Sequence, residues 1–171
     1  MIQELITWAT TPCAPQARRL GFLYEAIAMQ ARLSRCQTAW KPHLEQSKTF
    51  ITQCASQLPE GGIALILGSG LNVDLPHEFL LNHFDEIWLV DMVHLRDSKK
   101  IWQKSKKVKF ITHDITESLD AVLMGDLIAP LPTQWLGKTN IQFEVSANIL
   151  GQLPIQPMEW LSKHFQYDEE E

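Results

Sequence analysis

Four short segments hold the residues best suited to chemistry. Gly68-Ser69-Gly70 follows the apolar run Ile63–Leu67, and Asp91 ends the run Glu86–Asp91. His113-Asp114 follows Val108–Thr112, and Ser146-Ala147-Asn148 closes the run that begins at Ile141. Glycines at the end of a strand let a ligand approach the backbone closely and accept positive φ. A carboxylate suits vicinal hydroxyls, because two donors can meet its two oxygens. Asp91 lies 21 residues beyond Gly70, near the offset of roughly 20 at which an acidic residue grips ribose. The plainer reading of Asp91 is a strand-end residue capping the next loop. Asp114 could accept from an exocyclic amine, or could cap a helix together with Thr116.

These segments share an edge only if the runs before them are parallel strands, and the spacing predicts that. Four strand-like runs, 63–67, 86–91, 108–112 and 141–146, alternate with helical stretches, which implies a mostly parallel α/β sheet with right-handed crossovers. Ligands then sit outside the carboxyl ends of the strands. A helix led by Pro76, a lysine-rich helix over 96–106 and a short helix near Leu119 to Met124 supply the connections. Upstream, residues 1–60 read as a helical preface and 61–171 as the ligand-binding unit. The preface begins with an unpatterned lead over 1–14. Two helices follow, 17–37 and 42–57, separated at Trp40-Lys41-Pro42-His43 because Pro42 disfavours helix at Lys41. A last helix is expected over Met158–Phe165.

Totals narrow the class. At 171 residues with 45% hydrophobic and 20% charged content, the chain suits one soluble domain with a sizeable core. A net charge of −5 argues against general nucleic-acid binding. The lysine-dense stretch Lys99, Lys100, Lys104, Lys106, Lys107 and Lys109 around Trp102 reads as a solvated helix face, with an RNA-contacting surface as the sharper alternative. No apolar run approaches the roughly 18 residues of a membrane span, and the first residues are too polar for a signal peptide. Cys13, Cys36 and Cys54 form no CxxC pair, and the six histidines show no metal spacing. A cytoplasmic protein with reduced thiols and no metal is the expectation. His94 and His113, both following strand ends, are the candidate general bases.

A glycine loop after the first strand, Asp after the second and Asp after the third together resemble the class I S-adenosylmethionine-dependent methyltransferases. The chain is also similar to an uncharacterised bacterial branch of that superfamily. That similarity rests on 35–44 (RCQTAWKPHL), Leu67-Gly68-Ser69-Gly70, Val90-Asp91-Met92-Val93-His94 and 146–154 (SANILGQLP). The resemblance implies a Rossmann-like fold, S-adenosylmethionine as cofactor and an unknown methyl acceptor. It implies that Gly68, Ser69 and Gly70 approach the methionine end, and that Asp91 with Met92 holds the ribose. Asp114 would face the adenine, and Ser146 with Asn148 would border the transfer site. Ile66 stands where the family often has an acidic residue, and Asn72 stands where a third glycine is common. Ser146-Ala147-Asn148-Ile149 lacks the Asn/Asp-Pro-Pro-aromatic run, so nucleobase or glutamine amino groups are not the expected acceptors.

Only 25 residues follow Ser146, which predicts a sheet shortened at the C-terminus and an open fourth-strand edge. A homodimer through that edge is the corresponding partner expectation. Two other functions fit parts of the sequence: a catalytically inactive methyltransferase-like binding module, and a nicotinamide-dinucleotide domain. Val73 stands where the dinucleotide fingerprint wants glycine or alanine.

Overall fold

The computed structural model describes residues 2–102, 105–128, 131–147, 149 and 151–166. The four strands are β1 (Ile63–Leu67), β2 (Glu86–Asp91), β3 (Val108–Thr112) and β4 (Ile141–Ser146). They form one all-parallel sheet in the order β3-β2-β1-β4. The chain steps outward from β1 to β3 and then returns to β1's other side. That reversal creates a switch point, and the arrangement is consistent with a Rossmann-like fold. β1 sits between two neighbours and under packed side chains on both faces, so all five of its residues are buried. This is why it reads as an unbroken apolar run rather than an alternating one.

Among the described residues, seven helices accompany the sheet: α1 (Ile2–Thr10), α2 (Pro15–Arg19), α3 (Phe22–Ala55), α4 (His77–His83), α5 (Arg96–Lys100), α6 (Leu119–Met124) and α7 (Ile155–His164). One sheet face, carrying Ala64, Ile66, Ile87 and Leu89, packs against Ile51 and Ala55 of α3, Leu80 of α4, Phe84 and Trp102. The other face, with Leu65, Leu67 and Val90, is closed by Trp88, Ile111, Trp135 and Ile149. Trp135 is held there by ring contacts to Trp88 and His113 and by the Lys138 ammonium 5.1 Å from its ring. β4 lies at the sheet edge, with β1 as its strand partner among the described residues.

The preface differs from the sequence expectation in three places. The lead over 1–14 contains a helix, α1. The helix expected over 17–37 is interrupted near its start, where Gly21 takes the left-handed conformation (φ 87) between α2 and α3. The break expected at Pro42 lies instead at Cys36 (φ −106, ψ 15), where two helical segments of α3 meet at a kink, and the second segment runs through Pro42. A mid-helix proline costs about 3 kcal/mol through a lost hydrogen bond and ring crowding. The C-terminal half of α3 is anchored on the sheet by Ile51 and Ala55, so the helix persists beyond the proline instead of ending. The lysine-rich helix is shorter than expected, ending at Lys100. Lys104 and the acidic tail 168–171 lie outside the described residues.

Candidate functional site

The loop after β1 is shaped by two left-handed glycines, Gly68 (φ 70) and Gly70 (φ 49). The N–H groups of Gly68 and Ser69 donate to the Val90 carbonyl at 2.9 and 3.0 Å, which fastens the loop to the end of β2. Asn72, itself left-handed and buried, donates from its side chain to the Ser98 carbonyl at 3.2 Å. Asn72 thus pins the loop to α5. Ser69 is buried and lies off the cavity wall. The two glycines serve different ends. A Cβ at Gly70 would meet nothing closer than the Gly68 carbonyl oxygen at 3.8 Å and an Asp91 oxygen at 4.0 Å. A Cβ at Gly68 would fall 1.8 Å from Cγ2 of Ile149, so that space is filled by the chain's own side chain.

Asp91, at the end of β2, faces this loop. Its Oδ2 accepts from the Gly70 N–H at 2.7 Å and its Oδ1 from the Val93 N–H at 3.2 Å. An ionised carboxylate offers about four acceptor positions, so each oxygen keeps capacity for another donor. Burial pushes the Asp91 carboxyl above its ordinary range, opposed by the N–H groups of Gly70, Val93 and Met92 and by His94. Met92 packs on Leu20 and Leu119 and on Leu23 and Val93, lining the same cavity. His94 donates from Nε2 to the Ile111 carbonyl, or accepts nothing there in the other tautomer, at 3.1 Å. Burial holds its pKa below the usual imidazole range. Neither His94 nor His113 lines the cavity, so neither is placed as a base.

Asp114 also lines the cavity, but its carboxylate is fully engaged. Oδ1 accepts from the Thr116 N–H (2.9 Å) and hydroxyl (2.7 Å), and Oδ2 from the N–H groups of Ser118 (2.7 Å) and Leu119 (2.9 Å). Four donors fill its acceptor positions and satisfy backbone groups at the start of α6, where no intrahelical partner exists. The capping reading accounts for Asp114, and no acceptor position is left for an adenine amine in this arrangement. Ser146 is not brought to the cavity. It is exposed and borders a separate groove beside Phe50 and Cys54 of α3. Asn148 lies outside the described residues.

The cavity has a volume of about 390 Å³, within the ~300–1,000 Å³ of small-molecule sites. Its strand-end wall carries Gly68, Gly70, Asp91, Met92 and Asp114. A second wall was not foreseen from the sequence. Phe22, Glu25, Ala26, Met29 and Arg32 line it from α3, Gln152 and Leu153 from the segment leading into α7, and Ile155 from the start of α7. The α3 residues recur at i, i+3, i+4, i+7 and i+10, one face of a helix. That signal was present but masked by the neighbouring stripe of Leu23 and Ile27, which packs on Val93 and Leu95. Ile66 is fully buried against α3 and α4, away from this space; a carboxylate there would be an unpaired buried charge.

Several described lysines of the lysine-rich segment are engaged, Lys99 over the Phe110 ring among them. Lys100 pairs with Asp97 and Lys109 with Glu86, while Lys107 donates to the carbonyls of Leu81 and Phe84. Trp102 is buried in the core. Among the described residues no group of His, Cys, Asp and Glu could hold a metal ion, and no helix is long and apolar enough to cross a membrane. Comparison with protein-family models, with curated proteins and with solved structures gave no match.

Proposed function

We propose that this chain is an S-adenosylmethionine-dependent methyltransferase of the class I kind, acting on a small acceptor. One observation carries the reading: the side-chain-free Gly70 and the Asp91 carboxylate stand 2.7 Å apart on the wall of a cavity at the switch point of a parallel sheet. The residues fit an adenosyl group there. Gly70 leaves its backbone open to close approach, and Asp91 keeps acceptor capacity for two ribose hydroxyls. Met92, Ile115 and Leu119 offer apolar surface for a flat ring and exclude water. When bound, the cofactor supplies an activated methyl group on a sulfonium, so the leaving group needs no protein acid. The chain's own task is alignment of donor and acceptor in a dry site. Asp91, Asp114 and Glu25 are the titratable acids on the wall, and Asp114 is held by its capping bonds. Mass spectrometry of small molecules released from freshly purified, denatured protein tests this directly. S-adenosylmethionine or S-adenosylhomocysteine is expected; a nicotinamide dinucleotide would overturn it.

A second reading, a binding module without turnover, is favoured by Ile149 filling the space at Gly68. On the methyltransferase reading that side chain shifts when ligand enters. Ile149→Ala then raises affinity for S-adenosylhomocysteine several-fold in a thermal-shift titration, whereas weakened binding would make Ile149 part of the ligand surface.

A further inference from the structure

The helical wall of the cavity has a chemistry of its own. Phe22, Ala26 and Met29 present an apolar strip from α3, and Leu153 before α7 and Ile155 at its start line the same cavity. Arg32 is the cavity's one cationic lining residue, and it makes no hydrogen bond or ion pair within the described residues. Glu25, the acidic residue on the same strip, lies seven residues earlier, about 10 Å along the helix axis at 1.5 Å per residue. Arg32 thus lies beyond Met29 at one end of the strip, while Glu25 sits between Phe22 and Ala26 in its other half. A nucleic-acid acceptor would need a basic surface around the mouth, and the strip provides a single arginine.

We propose that this wall is the acceptor subsite and that it takes a small molecule with an apolar body and one anionic group, the anion pairing with Arg32. The acceptor role rests on the methyltransferase reading above; the binding chemistry does not. The apolar body lies along Phe22, Ala26 and Met29, where it displaces water from surface that α3 leaves uncovered. The planar guanidinium offers paired donors to a carboxylate or sulfonate.

Calorimetric titration of the full chain with decanoate and with decylamine, each with and without S-adenosylhomocysteine, separates the possibilities. Decanoate is expected to bind at one site and decylamine at least tenfold more weakly. Arg32→Gln should weaken decanoate roughly two- to fivefold, the range for an exposed ion pair, and Arg32→Lys should restore part of it. Met29→Trp, which fills the strip, should abolish decanoate binding. Equal binding of the acid and the amine, or an unchanged Arg32→Gln, overturns the inference. Binding of S-adenosylhomocysteine without any decanoate binding also overturns it, yet leaves the methyltransferase reading standing. Decanoate binding without S-adenosylhomocysteine binding overturns that reading and the acceptor role with it.

Discussion

The ends of β2 and β3 hold the same residue type on the same cavity wall and use it in opposite ways. Asp114 accepts four hydrogen bonds from Thr116, Ser118 and Leu119, all within five residues. Asp91 accepts from Gly70, 21 residues away, and from Val93. The first carboxylate is saturated by its own loop and holds α6 in place. The second ties two strand ends together and retains open acceptor positions. Burial also costs Asp91 something, since its proton affinity is raised, whereas a purely structural carboxylate is normally stabilised as an anion. A charged group kept in an unfavourable place while still able to accept hydrogen bonds is the pattern expected of a ligand-binding residue.

The largest expected effect falls on the structural member of the pair. Asp114→Ala removes four acceptors from donors at a helix start and should cost about 2–3 kcal/mol of stability in urea denaturation. A loss below about 0.5 kcal/mol would show that the cap is replaceable by water, and the contrast with Asp91 would weaken. Smaller changes come from pH. His94 and His77 have pKa values lowered by burial. Below about 6.5 the unfolded chain therefore binds protons that the native chain refuses, and stability falls as pH drops from 7 to 5. Asp91, with its raised pKa, has the opposite sign: stability falls as pH climbs from about 3.9 through its folded value. His94→Gln should thus flatten the rise of the thermal midpoint with pH, and Asp91→Asn should steepen it. With the opposing Asp91 contribution removed in Asp91→Asn, a flat profile between pH 5 and 7 would contradict the burial of the two histidines. The smallest effect is on Asp91 itself: Asp91→Asn should change stability at neutral pH by less than about 1 kcal/mol, because removing the buried charge offsets the weakened hydrogen bonds.

The strands were legible for two different reasons: β1, buried throughout, is a continuous apolar run, whereas β4 alternates apolar and polar residues with every second one exposed. All four strand boundaries match the expected runs. The helices were harder, since local signals compete with tertiary packing. Pro42 is a strong breaker in isolation, but α3 is held on the sheet beyond it by Ile51 and Ala55. Asp91 and Asp114 could not be separated by position alone; the distinction lies in Thr116 and Ser118, whose backbone and hydroxyl groups turn back onto Asp114. Gly68 and Gly70 likewise look equivalent until Ile149 is placed against only one of them. Ser146 misled because it ends the edge strand β4, where it is exposed and borders the groove beside Phe50 and Cys54 instead of the cavity. The α3 wall was missed because Phe22, Met29 and Arg32 sit beside a better-defined core stripe and share no single chemical type.

The account turns on whether Asp91 holds ligand while Asp114 holds fold. Titration calorimetry of S-adenosylhomocysteine into the wild type, Asp91→Asn and Asp114→Asn measures this directly. Binding to the wild type is expected, weakened roughly ten- to a hundredfold by Asp91→Asn and within about threefold of wild type for Asp114→Asn. Unchanged affinity in Asp91→Asn, or a greater loss in Asp114→Asn, would contradict it.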